Sequence, residues 1–330
     1  MKVGVIGLGV GEQHLKTYQG LADVEVRAVC DIDREKLDAV ADSYDVVNRG
    51  DDFRIVTEDP DIDVVSICSY DDCHAEQAIS AFRNGKHVMV EKPVALHRSE
   101  SEAILRAQQD SGKYITSNLI LRESPRFVEV KKQIDAGDFG EIFCIEGDYV
   151  HDILWKIVDG WRGKMDFYCT IFGGGIHLID LMRWLLEDEI VEVGGMGNKV
   201  LTRNTSYKFD DTFFSLLRFS NGALGKCLTT LGPQRTKFHA LNVYGTKKTF
   251  INDLPHGKAF TGDQTADESP VTTPYPGMEK GDLIPDFIEA IRADREPNVS
   301  ARDVFRLMDI CFSAAEAAET GRNINVTYQL

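Results

Sequence analysis

The sequence predicts an α/β fold: a doubly wound parallel sheet first, then an α+β domain on a mostly antiparallel open sheet. Three observations carry this. Over the first 120 residues, short β-branched runs alternate with longer amphipathic segments. After Leu121 the alternation stops at a single helical pattern. From residue 190 onward, strand patterns follow one another with only turns between them. Parallel neighbours need long crossovers, whereas antiparallel neighbours need only turns.

In order, the first strands are "KVGVIG" (2–7), "VEVRAVCD" (24–31), "VVSICS" (64–69), "HVMVEK" (87–92) and "YITSNLI" (114–120). Helical patterns lie at about 12–22, 33–43, 72–84 and 97–111. This is a Rossmann-like arrangement covering 1–120. In the second domain, 121–330, the helix "SPRFVEVKKQIDAG" (124–137) leads to a strand at 142–150. A Gly/Trp-rich loop and the helix "IHLIDLMRWLLED" follow. The strands "IVEVGGMGNKVL", "TFFSLLRF", "GALGKCLTTL", "FHALNVYG" and "KKTFIN" come next, joined by turns such as "SNG" and "GTKK". Residues 252–281, rich in Pro, Gly, Thr and Asp, are expected to form a long loop. Helices near 282–293 and 302–320 close the chain, and Gly321 suits a C-cap. Both faces of "TFFSLLRF" are apolar, so the outer face of this sheet is expected to pack on a partner.

Composition sets bounds on function. With 43% hydrophobic and 27% charged residues, the chain reads as an ordinary globular protein. No apolar run approaches the roughly 20 residues of a membrane helix. The N-terminus enters a strand pattern directly, so a cytoplasmic location is the default expectation. A net charge of −16 argues against nucleic acid and anionic membrane surfaces as partners. The seven cysteines are scattered singly, as expected of reduced thiols packed as small hydrophobes, and no metal site is expected.

The loop "GLGVG" follows the first strand and opens the first helix, and it begins like the fingerprint G-x-G-x-x-G. The third glycine should stand where Glu12 does. A loop shortened by one residue makes Gly11 the third glycine and turns Glu12 outward. Backbone amides of Gly7, Leu8, Gly9, Val10 and Gly11 can then meet a pyrophosphate at the helix N-terminus. Asp31 ends the second strand 24 positions after Gly7, near the roughly 20-residue spacing at which a carboxylate meets the ribose diol of NAD. That carboxylate repels a 2′-phosphate. Arg34, three residues on, is a candidate cation for such a phosphate, but it reads better as an exposed first-turn charge. NAD is therefore favoured, with NADP possible.

In "GKHVMVEKPVAL", Glu91, Lys92 and Pro93 lie at the C-terminal end of a strand, where open α/β sheets place their ligands. Pro93 ends the pairing, and a cis bond from Lys92 would aim the lysine at that crevice.

Together, "GLGVG", the acidic end of the second strand, "VVSICSYDDCHAEQAISAFRNGKHVMVEKP" and "GGGIHLIDLMRWL" resemble the Gfo/Idh/MocA family. The likeness runs through the final "SARDVFRLMDICFSAAEAAETGRNINV". It implies an NAD(P)-dependent oxidoreductase acting on a secondary hydroxyl of a sugar, cyclitol or nucleotide-sugar. It also implies that Lys92 orients and polarises the hydroxyl and that His177 is the general base. His177 opens a helix, whose N-terminal dipole favours the neutral ring. Ser69 and His74 fall where the family contacts its cofactor, although "SYDD" replaces the usual Thr-Pro and His74 also reads as a loop-orienting residue. Glu91 is expected near the nicotinamide ribose, and Asn118 near the nicotinamide or the substrate. Arg122, Trp161 and Arg162 are candidate substrate contacts.

The chain departs from the pattern at one position. The family motif D-x-x-x-H has its aspartate four residues before the histidine, and Gly173 stands there. Asp166 or Tyr168 in the preceding loop can substitute. Two other readings remain open: an NAD-dependent enzyme cleaving glycosides through transient oxidation, and a non-catalytic NAD-binding regulator. A homodimer or homotetramer through the C-terminal sheet is expected.

Overall fold

The computed structural model describes residues 1–262 and 267–330. The chain divides into two compact units, one comprising Met1–Leu119, Glu279–Met308 and Gln329–Leu330, the other Ile120–Met278 and Asp309–Tyr328. The segment Glu279–Met308 thus belongs by its contacts to the first unit, although in sequence it lies between the two parts of the second.

The first unit runs β1 (Lys2–Ile6), α1 (Gly11–Gln19), β2 (Glu25–Cys30), α2 (Arg34–Ser43), β3 (Asn48–Gly50), α3 (Arg54–Thr57), β4 (Val64–Ile67), α4 (His74–Arg83), β5 (His87–Val90), α5 (Arg98–Ser111) and β6 (Ile115–Ser117). Its six strands pair in the order β3-β2-β1-β4-β5-β6, every pair parallel. All four residues of β4 are buried, as expected where helices cover both faces. Asp33 caps α2 by accepting the Lys36 N–H, and Gly112, with φ +65°, ends α5 in the left-handed conformation. The sequence reading missed β3 and α3, whose short "NRG" and "RIVT" carry no periodic apolar pattern.

The second unit holds α6 (Pro125–Asp135), β7 (Ile142–Val150), α7 (Leu154–Val158), α8 (Ile176–Leu186), β8 (Ile190–Asn198), β9 (Thr212–Phe219), β10 (Leu224–Thr230), β11 (Phe238–Gly245), β12 (Lys248–Ile251), β13 (Gly257–Thr261) and β14 (Asp267–Val271). The helices α9 (Ile284–Arg292) and α10 (Ala301–Thr320) and the short β15 (Ile324–Asn325) close the chain. Among the described residues, nine strands pair in the order β14-β13-β12-β11-β7-β10-β9-β8-β15. Only β7 and β10 run parallel; the other pairs are antiparallel. Helix α8 covers the inner face, and Gly147 of β7 leaves room for Leu178 against the sheet.

Two expectations need correction here. The stretch 252–281 is not a plain loop, because it contains the paired strands β13 and β14; residues 263–266 of that stretch lie outside the described residues. The Gly/Trp-rich loop also carries α7, a 3₁₀ turn at Trp161–Lys164 and a π turn at Ile171–Gly175 leading into α8. All seven cysteines are free thiols. Among the described residues, no helix is long and apolar enough to cross a membrane.

Candidate active site

In the first unit, β1 delivers the chain into the glycine loop. Gly7 has φ +83°, and a Cβ there would lie 2.5 Å from the Cys68 carbonyl oxygen, so only glycine fits. Gly9 is exposed, with no heavy atom within 4 Å of its would-be Cβ. Gly11 is the buried first residue of α1 and lies against Val5 of β1, the close helix–strand approach expected of a third glycine. Val10 precedes it as N-cap, and Glu12 accepts the Tyr44 hydroxyl at 3.3 Å.

Asp31 completes this cradle. One carboxylate oxygen accepts the Leu8 N–H at 2.6 Å and the other accepts the Asp33 N–H at 2.8 Å. The acid at the end of β2 is therefore tied to the glycine loop itself. Arg34 is 67% exposed and lies 3.8 Å from Asp38 of its own helix. An open glycine backbone, a helix N-terminus and an anchored carboxylate fit a dinucleotide.

At the end of β5, the Lys92–Pro93 peptide is cis, as the sequence suggested. Glu91 is buried and accepts the Asn118 side-chain N–H at 2.7 Å and the Lys92 backbone N–H at 3.3 Å. Asn118 also donates to the Lys280 carbonyl at 3.0 Å. His14 of α1 joins the same group, with Nε2 3.7 Å from Glu91 Oε1 and Nδ1 2.8 Å from Ser66 Oγ. Burial works against the Glu91 carboxylate, but Lys280, His14 and Lys92 hold it well below the usual carboxylate range. Burial likewise opposes charge on His14, and the Cys68 sulfur and Glu91 outweigh it, pushing His14 up to about 10. The sequence reading did not single out His14; the available signal was its place on the inward face of α1, with Leu15 and Tyr18.

His74 donates from Nδ1 to the Pro93 carbonyl at 2.7 Å, and its Nε2 lies 3.2 Å from the Ser69 carbonyl. Ser69 donates to Gln77 at 2.6 Å. These contacts tie the turn after β4 to the segment after Lys92.

In the second unit, His177 is the second residue of α8 and only 6% exposed. The Tyr149 ring stacks on it, with centroids 6.4 Å apart at 22°, and the His239 ring stands edge-on at 6.5 Å. Neither Tyr149 nor His239 was expected from the sequence, because strands distant in the chain deliver them. Gly173 lies on the π turn before α8, and a Cβ built there would lie 1.8 Å from the Tyr168 hydroxyl oxygen. Arg162 lies over the Trp161 ring at 4.1 Å and near the Tyr168 ring at 5.8 Å. Arg122, a candidate substrate contact, is buried in a two-pronged ion pair with Asp180, at 2.9 and 2.5 Å. Two parallel charge-assisted bonds hold this guanidinium as a structural clamp between the 3₁₀ turn at Ile120–Glu123 and α8.

Residues 1–119 match the family model described as "Oxidoreductase family, NAD-binding Rossmann fold", and residues 127–251 match the "GFO/IDH/MocA C-terminal domain". The chain belongs to the Gfo/Idh/MocA oxidoreductase family. Residues 1–119 are accordingly an NAD-binding Rossmann domain. This Gfo/Idh/MocA chain is similar to inositol 2-dehydrogenase of Salmonella paratyphi B, 30% identical across 57% of the chain and 55% of that enzyme. It thus spans about half the length of that relative. The myo-inositol 2-dehydrogenase of Thermotoga maritima is 23% identical, with 99% of this chain and 98% of that one aligned. Among solved structures, levoglucosan dehydrogenase in complex with NADH superposes with a TM-score of 0.90 at 24% identity, covering 99% of both chains. That superposition establishes the likeness of fold.

Proposed function

We propose that the protein is an NAD-dependent dehydrogenase of a secondary hydroxyl on a sugar, cyclitol or nucleotide-sugar. The observation that carries this is the buried Glu91–Asn118–His14 group, which fixes the residue next to Lys92 at the C-terminal end of β5. The named relatives act on inositol, which supports the polyol class.

Gly7, Leu8, Gly9, Val10, Gly11 and Asp31 would hold NAD, with Ser69, His74, Glu91 and Asn118 towards its nicotinamide end. When bound, NAD supplies the hydride acceptor. Lys92 donates a hydrogen bond to the substrate oxygen and favours its alkoxide form. His177 takes the hydroxyl proton, or returns it when a ketone is reduced. Tyr149, stacked on His177, keeps the ring plane fixed and water away from it. Trp161 and Arg162 would contact the substrate beyond the reacting carbon.

We also propose that two copies associate through the outer face of the second unit's sheet. Met196, Leu216 and Leu224 are exposed on β8, β9 and β10, and their register puts them on one face. A purely solvated face would carry polar residues at these positions. The ion pairs Arg218–Glu192 and Lys226–Asp148, both at 3.0 Å, lie on the same face.

Incubating the protein with NAD and a panel of sugars and cyclitols tests the activity. Net NADH supports the dehydrogenase. Glycoside cleavage without net NADH, or cofactor binding without any turnover, would replace it.

A further inference from the structure

A second histidine stands beside His177. His239 of β11 is 4% exposed, edge-on to His177, and its ring centroid is 5.5 Å from that of Tyr149. Its far side is held by Tyr275. The His239 backbone N–H donates to the Tyr275 hydroxyl oxygen at 2.8 Å, and the His239 Nδ1 lies 2.7 Å from the same oxygen.

A phenol hydroxyl has one proton to give. With its oxygen already accepting the backbone N–H, that proton is the one available for Nδ1. Burial pushes the Tyr275 hydroxyl up to about 12, so it keeps its proton at neutral pH. Nδ1 is then an acceptor, and a neutral His239 carries its own proton on Nε2.

Arg126 explains why Tyr275 stays in place. It is 1% exposed and donates to the carbonyls of Thr273, Asp253 and Pro255 and to Asn252 Oδ1, at 2.8–3.0 Å. Asn252 in turn donates to the His239 carbonyl at 2.8 Å. One buried guanidinium thus ties Thr273, two residues before Tyr275, to the segment whose Asn252 bonds the His239 carbonyl.

We propose that His239 is a positioning residue for His177, held by Tyr275 as the tautomer protonated on Nε2. The role rests on His177 being the base. Tyr275 fixes the tautomer and rotation of His239, and His239 with Tyr149 confines the His177 ring.

Histidine-labelled protein read by two-bond proton–nitrogen correlation tests this without any substrate. His239 is expected to show the Nε2–H pattern, and Tyr275→Phe should mix its tautomers and displace the His177 ring signals. With a substrate from the panel, Tyr275→Phe should lower kcat on the order of tenfold with NAD affinity unchanged. A wild-type His239 protonated on Nδ1 overturns the tautomer. Unmoved His177 signals in Tyr275→Phe overturn the positioning role, whatever turnover does. Should Tyr275→Phe fail to fold, His239→Gln, which keeps an N–H donor near Nε2, should leave His177 closer to wild type than His239→Leu does. Equal displacement in both would overturn the proposal. If the dehydrogenase reading were wrong, wild type would form no NADH, and the resonance experiment would stand unaffected.

Discussion

The Tyr168 hydroxyl oxygen occupies the space in which a side chain at Gly173 would begin. The two residues share one volume on the turn that leads into α8, one helical turn before His177. The aspartate of the family motif is therefore not simply missing; another side chain has taken its room.

Gly173→Asp should accordingly destabilise the protein by about 1–3 kcal/mol, as overpacking of a filled interior does. It should not raise turnover. Adding Tyr168→Phe to that variant should recover part of the lost stability, because the clashing hydroxyl oxygen is then gone. Thermal melts of both variants and of wild type check this. A Gly173→Asp protein as stable as wild type and several-fold faster would mean that wild type is a weakened form of the common site.

NAD should bind at least about tenfold more tightly than NADP, a difference of ~1.4 kcal/mol. Asp31 is anchored through the Leu8 and Asp33 amides, so it cannot easily swing away from a 2′-phosphate. Titration of the apo protein with both cofactors measures the gap, and Asp31→Ser should narrow it. A preference for NADP would overturn this role of Asp31.

Much of this was readable in the sequence because it is local. The run of β5 into Glu91, Lys92 and Pro93, and the glycine loop ahead of Asp31, each declare themselves within a few residues. What stayed hidden depends on partners far apart in the chain. Nothing near Gly173 says that Tyr168 folds back onto it. Nothing in "FHALNVYG" says that Tyr275 will hold His239 from 36 positions away. The strands β13 and β14 lack apolar alternation, so their pairing shows only in the folded chain. That Asp180 meets Arg122 from 58 positions away was likewise not legible.

Stability should fall as pH drops from about 6.5 to about 4. Burial and then Lys113 lower His87 from the usual 6.5 to about 4, and its Nδ1 accepts the Tyr114 N–H at 3.1 Å. In that window the unfolded chain binds a proton that the folded chain refuses, so acid favours unfolding. His151 is lowered to about 4 in the same sense, by burial and then by Lys237 and Lys156. Urea midpoints across this range should decline less steeply in His87→Gln than in wild type. Identical slopes would remove His87 from the account.

Leu216→Arg should yield monomers by light scattering, since Leu216 is 57% exposed on the outer sheet face. The fold should survive, because the side chain makes no part of the core. An unchanged oligomer, or a wild-type monomer, would rule out this face as the contact.

The central claim is that Lys92 and His177 act on the alcohol and not on the dinucleotide. The direct measurement is kcat and NAD affinity for Lys92→Ala and His177→Ala, on whichever polyol gives NADH with wild type. Each variant should lose about 10²–10⁴ in kcat, the range of a lost proton-transfer or polarising group, while NAD affinity stays within about twofold of wild type. Wild-type turnover in either variant would contradict the claim.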